Sequence, residues 1–177
     1  MRMKSRICQD AQKIEQFLLK ADTGFLGLAL NNEPYIVPLN YVWFEGSVYL
    51  HGASEGKKVN FIKENKNATF VISKSEGTMV SPIPAETDTA YLSIMLFGEI
   101  QIVNDLREAT KAMQALLDKY VTGYYNSPLS LKHVERYRSS LGSTTCIFKL
   151  RPNEITAKEN IIINDQLYYP GRNVSTE

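Results

Sequence analysis

The sequence predicts a mainly β chain: an antiparallel six-stranded barrel with helices appended to it. Three observations carry that expectation. Runs rich in β-branched and aromatic residues recur at residues 25–30, 35–44, 48–51, 68–73, 90–103 and 144–150. Turn-forming residues separate several of them, Glu45-Gly46 above all. The runs also follow one another too closely for helical crossovers until residue 105, which argues against a doubly wound parallel sheet.

Residues 10–21 read as the first helix. Asp10 is its N-cap, and Ile7, Ala11, Ile14, Phe17, Leu18 and Ala21 form a stripe at helical spacing. Gly24 is expected to stop it. Residues 25–30 make a short buried strand, and Asn31-Asn32-Glu33 turn the chain into Pro34. A long run containing Pro38 then leads through Glu45-Gly46 into Val48-Tyr49-Leu50-His51, a hairpin pattern. After Gly52-Ala53-Ser54, Lys57 and Lys58 open a short helix whose apolar residues are Val59, Phe61 and Ile62, ending near Asn65. Beyond strand 68–73, residues 76–89 carry Gly77, Pro82 and Pro84 with no period. Three readings stand there: a mobile lid whose Met79 and Ile83 cover a ring, a partner-contacting loop, or a surface insertion. Residues 90–103 look apolar on both faces, as a central barrel strand would be. Asp105 to Glu108 is a capping box opening the clearest helix, with Leu106, Ala109, Met113, Leu116, Leu117 and Tyr120 as its core stripe. A shorter polar helix over 129–138 holds His133, read as a surface or interface residue. Residues 144–150 close the sheet, 154–157 continue it past Pro152, and 161–163 suggest one more short strand. The organisation is a barrel unit, residues 1–160, and a C-terminal extension, 161–177, irregular or wrapped on a partner.

The segment from Gly52 to Lys58 suits an anion. A helix start leaves backbone N–H groups without intrahelical partners, and its dipole favours negative charge. Ser54 can cap the helix or donate its hydroxyl, and Gly52 and Gly56 let a ligand approach the backbone. Two lysines in a first turn, where cations are disfavoured, make sense with a phosphate between them and the amides. A solvated helix start with two surface lysines is the alternative. Pro38 lacks an N–H, so it belongs at an edge, at a bulge or beside a ligand.

PYIVPLNYV from Pro34, VYLHGASEGKKVNFI from Val48 and YLSIMLFG from Tyr91 together resemble recurring motifs of one superfamily. It is the FMN-binding split-barrel superfamily typified by pyridoxamine 5′-phosphate oxidase. Within it, the likeness is to the nitroimidazole-resistance (nitroimidazole reductase) branch. The resemblance spans residues 6–157, and it implies an FMN-binding split β-barrel. Carried over by motif position, Val37, Pro38, Leu39 and Asn40 line the isoalloxazine and ribityl chain. His51, Gly52, Ala53 and Ser54 run along the cofactor, Lys57 and Lys58 meet its phosphate, and Ser93 faces the same pocket. The implied activity takes electrons from a nicotinamide donor through FMN to a small acceptor, nitroaromatic in that branch. His51 is the implied catalytic residue, with a hydrogen-bonded strand-end imidazole as its alternative. A homodimer sharing the flavin site is implied too. Trp43 and several of the ten tyrosines, wanting apolar cover beyond one small barrel, point the same way. Haem held by His51 or His133, a deazaflavin, and a flavin-binding module without turnover all stay open. Pyridoxamine 5′-phosphate oxidation itself is disfavoured, because no arginine-rich C-terminal motif is present for the substrate phosphate.

A net charge of +1 gives no bulk attraction to nucleic acid or to a membrane surface. No apolar run has the length of a membrane span, and no signal-peptide core follows the basic start. Cys8 and Cys146 lack metal or redox spacing, so they read as reduced thiols in a cytoplasmic protein. With two histidines in the chain, no metal site is expected.

Overall fold

The computed structural model describes residues 3–138, 142 and 144–176; of the expected barrel unit, residues 1, 2, 139–141 and 143 lie outside the described residues, as does 177 of the extension. Asp10 caps α1 (Ala11–Lys20), its carboxylate accepting from the Lys13 amide at 2.9 Å. Leu18 is buried, and Ile14, Phe17 and Ala21 pack on the core from half-buried positions. Gly24 does not stop this helix. Ala21 is already extended at φ −67° and ψ 136°, and Gly24 lies inside β1 (Thr23–Leu30). What needs glycine there is Phe70, whose ring a Cβ would strike.

Two hairpins follow the same physics. Asn31 and Asn32, at φ 49° and 66°, turn β1 into β2 (Glu33–Phe44) with Leu30 opposite Glu33. Glu45 and Gly46, at φ 48° and 69°, turn β2 into β3 (Ser47–Ala53). Two successive positive-φ residues match the twist of the flanking strands. Next comes α2 (Lys57–Glu64), burying Val59, Phe61 and Ile62 as expected. Then β4 (Asn67–Met79) and β5 (Asp88–Ile102) pair over almost their whole length.

That pairing corrects the reading of residues 76–89. Gly77, Thr78 and Met79 face Ala90, Thr89 and Asp88 across a bulged ladder, so only 80–87 is a loop. Met79 is buried rather than poised over a ligand, while Ile83 is exposed. Nor is β5 apolar on both faces: its residues alternate between buried and accessible, as in a barrel wall with one side inward.

Asp105 caps α3 (Leu106–Tyr120) through the amides of Arg107 and Glu108, but Glu108 does not close the box. Its carboxylate instead accepts from the Tyr49 hydroxyl and the Lys149 ammonium, both at 2.7 Å. The second polar helix is shorter than expected, α4 (Leu131–Glu135). Finally β6 (Thr145–Asn160) runs past Pro152 as one strand, with a register shift opposite Phe97 and Gly98. Residues 161–163 are not a strand. The chain instead returns to the β4–β5 hairpin: the Val80 amide donates to the Gln166 carbonyl and the Tyr168 amide to the Thr78 carbonyl, each at 2.8 Å.

The strands close in the order β1-β2-β3-β6-β5-β4, and β4 returns to β1 through four residue pairs. Tyr41, Leu50, Phe70, Ile94, Leu96, Phe148 and Leu150 fill the interior. Outside, Ala109, Ala112, Met113 and Leu116 of α3 cover Val42, Tyr49 and Ile147. Trp43 needs no second chain for cover, because it is buried here and its Nε1 donates to Glu15 at 2.8 Å. The β2–β3 ladder runs only from Tyr41 to Phe44. Before Tyr41, β2 pairs with β1 alone, and after Leu50, β3 pairs with β6 alone. The barrel is split at this fork.

The end of α3 holds the fork's base. β1 stops pairing at Asn40, so the backbone of Tyr41 needs other partners. The Tyr120 hydroxyl accepts from the Tyr41 amide at 2.9 Å, and the Lys119 ammonium donates to the Ala21 and Tyr41 carbonyls at 2.7 and 3.0 Å. Lys119→Met is expected to take the donor from the Ala21 carbonyl, leaving the Tyr41 carbonyl only the Tyr120 hydroxyl at 2.9 Å, and to cost about 1–3 kcal/mol, measurable by urea denaturation. Glu108 gives a pH-dependent contribution. The Lys149 ammonium and the Tyr49 hydroxyl hold its carboxyl below the ordinary 4.5. A depressed carboxylate stabilises the fold above its unfolded pKa, and that contribution disappears as pH falls through the folded value. The stability gap between the wild type and Glu108→Gln should therefore narrow on acidification and close at the acid end.

Candidate functional site

At the fork, strand alternation sorts the expected cofactor residues onto two faces. Val37 and Leu39 are half-buried against the core, whereas Pro38 and Asn40 are exposed on the outer face of the sheet. Half of the backbone groups of this run point to an edge that β3 does not occupy. Pro38 presents no N–H and sits opposite Phe25 of β1.

On the other prong, His51 lies opposite Ile147 and is exposed, while Gly52 turns inward opposite Cys146. A Cβ at position 52 would collide with the Lys58 ammonium. Ala53 ends β3, and the Ser54 amide donates to the Thr144 carbonyl at 2.9 Å. Ser54 does not cap α2. The N-cap is Gly56, at φ 100°, with no side-chain cap at all. The first helical bond runs from the Asn60 amide to the Gly56 carbonyl, so the amides of Lys57, Lys58 and Val59 precede it without intrahelical acceptors.

The two lysines have different surroundings. Lys57 is exposed, ion-paired to Glu33, and lies 5.4 Å from the Tyr35 ring centroid. Lys58 is half-buried, 4.8 Å from the Phe148 ring centroid, with no carboxylate ion pair among the described residues. Burial lowers its pKa from the usual 10.5, and the nearby Cys146 thiol opposes that shift. Partial desolvation of the ring and then the Lys58 charge lower the His51 imidazole from 6.5, which favours its neutral form. An uncompensated, half-buried ammonium beside an uncapped helix start is a setting completed by an anion.

Ser93 is not part of this cluster within one chain. It lines a separate cleft of about 340 Å³ with Met95, Phe97, Glu154, Thr156 and Lys158. Around the ring it stands three strands from β2, on the order of 14 Å at the usual strand spacing. Glu33, Phe148 and Cys146 are neighbours of the lysines that the sequence did not single out. Cys146 and Phe148 are brought there by the β3–β6 register, which no local motif signals.

Residues 10–159 match the family model described as pyridoxamine 5′-phosphate oxidase. The chain belongs to this family. FMN is the cofactor of its fold, and the residues at the fork suit the phosphate end of that molecule. The structure is also similar to that of a candidate 5-nitroimidazole antibiotic resistance protein from Bacteroides thetaiotaomicron. The two share 24% identity at a TM-score of 0.65, over 86% of this chain and 85% of the other. The flavocytochrome Anf3 from Azotobacter vinelandii aligns over 97% of this chain and 79% of its own at 17% identity and a TM-score of 0.76. The FAD and haem binding protein from Mycobacterium smegmatis aligns over 97% and 93% at 14% identity and a TM-score of 0.71. At these identities the likenesses show the fold. No curated protein matches the chain by sequence. Among the described residues there is no group of His, Cys, Asp and Glu suited to a metal ion, and no helix long and apolar enough to cross a membrane.

Proposed function

We propose that this family member is an FMN-dependent oxidoreductase of the nitroimidazole-reductase kind, with its flavin seated at the fork. The uncompensated ammonium of Lys58 carries the reading. Lys58 and the free amides of α2 hold the phosphate, and Lys57 adds positive charge from the rim. The outer face at Pro38 and Asn40, with the open edge of β2, receives the ring and ribityl chain, and Ala53 and Ser54 flank it. When bound, FMN supplies two-electron transfer between a nicotinamide donor and a small acceptor. His51 stands at the rim, where its imidazole can take up a proton and, as the imidazolium, pass it to that acceptor. Substrate-phosphate capture of the pyridoxamine 5′-phosphate kind has little to work with in the C-terminal segment. Its arginine, Arg172, is engaged by the carbonyls of Leu167 and Asp165.

A second copy of the chain completes the site in this proposal. Pro38, Phe25, Val71 and Met95 form one row across the outer face, with Ile36 beside them, and Ile36 is 68% exposed. A partner on that face would cover these side chains and bring its own Ser93 towards the flavin. A monomeric mass in solution with FMN fully bound would count against it.

The deciding experiment is anaerobic titration of the FMN-loaded protein with NADPH or NADH, followed by addition of a nitroimidazole. Bleaching of the flavin band by the nicotinamide and its return with the acceptor is the expected result. Tight FMN binding without bleaching would make the protein a non-catalytic flavin module. A Soret band in the purified protein would instead favour haem held by neutral His51, and preferential uptake of a deazaflavin would change the cofactor.

A further inference from the structure

Away from the fork, α3, the loop following it and the short α4 border an open cleft of about 640 Å³. Its floor is apolar: Met113 and Leu117 from α3, Leu129 and Val134 from the returning chain. Tyr125 and Tyr137 stand at its sides, 59% and 46% exposed. The loop is tied down, because the Gln114 side chain accepts from the Leu129 amide at 2.8 Å and Ser130 caps α4. The rim carries Lys132, Arg136 and Arg138, and no carboxylate among the described residues lines the cleft. None of these three cations has a carboxylate ion pair among the described residues. A volume of this size is that of a small-molecule site, and an apolar interior under unmatched cations fits an amphiphilic anion.

We propose that the cleft between α3 and α4 binds an organic acid with an apolar body, its chain or ring lying on Met113 and Leu117 and its carboxylate meeting Lys132 and Arg136. This site is separate from the fork and does not depend on the flavin reading.

The test uses the FMN-loaded protein, so that the flavin site is filled, with 8-anilinonaphthalene-1-sulfonate as a fluorescent anionic probe. Saturable probe fluorescence is expected, displaced by decanoate or 2-naphthoate but far less by 1-decanol. The tighter of the two acids assigns an acyl or an aryl ligand. Lys132→Gln combined with Arg136→Gln, both exposed positions, should weaken decanoate roughly fivefold or more while leaving the melting temperature and FMN content unchanged. Leu117→Trp, which fills the floor, should abolish displaceable binding. No saturable binding, equal displacement by 1-decanol, or affinity untouched by the double charge variant would overturn the proposal.

Discussion

Lys58→Met is expected to weaken FMN binding by about 10- to 150-fold, the loss of a charge-assisted contact worth roughly 1.5–3 kcal/mol. The measurement is flavin fluorescence quenching on titration into apoprotein. The effect should exceed that of Lys57→Met, because Lys57 already has Glu33 as its counter-ion while Lys58 has no carboxylate of its own among the described residues. Methionine keeps the stem that packs on Phe148, so the loss reports the charge and not the packing. The apoprotein should be at least as stable as the wild type, since the substitution removes a partly desolvated cation. Equal losses for the two variants, or none for Lys58→Met, would move the phosphate away from Lys58.

Gly98→Val is expected to destabilise the fold by roughly 3 kcal/mol or more, lowering the melting temperature by about 6–12 °C for a chain of this size. Gly98 lies opposite Pro152, where the β5–β6 register shifts. Even a single Cβ there would overlap the Arg151 carbonyl and lie 2.8 Å from the Pro152 Cα. Both are backbone atoms of a central ladder, which cannot swing aside as a side chain would. Gly27→Ala beside Gly98→Ala is the matched comparison, because the nearest contacts of a Cβ at position 27, at 3.5 and 3.9 Å, are ordinary ones. A small and equal effect at both positions would show that the bulge is soft.

Where local chemistry decides, the sequence was informative. Asp10 and Asp105 cap helices, and Asn31-Asn32 and Glu45-Gly46 turn hairpins, because each choice is settled within four residues. Errors arose where a distant segment decides. Gly24 looked like a helix stop because the ring of Phe70, which requires it, comes from β4. Residues 76–79 looked irregular because their strand character depends on β5 opposite and the C-terminal return alongside. At the candidate site the glycines and the lysine pair were visible as a run. The asymmetry between Lys57 and Lys58 was not, since it depends on Glu33 and Phe148, which no local motif links to them.

The C-terminal return to the hairpin also bears on how the protein behaves in a concentrated solution. By bonding to Thr78 and Val80, residues 166–168 cap the overhanging end of β4. A chain cut after Ile163 would bare that edge, and with it the buried Met79. Exposed strand edges recruit further strands, so such a truncation should cloud on storage or heating well before its barrel melts. Residues 166–168 therefore shield the β4 edge against self-association.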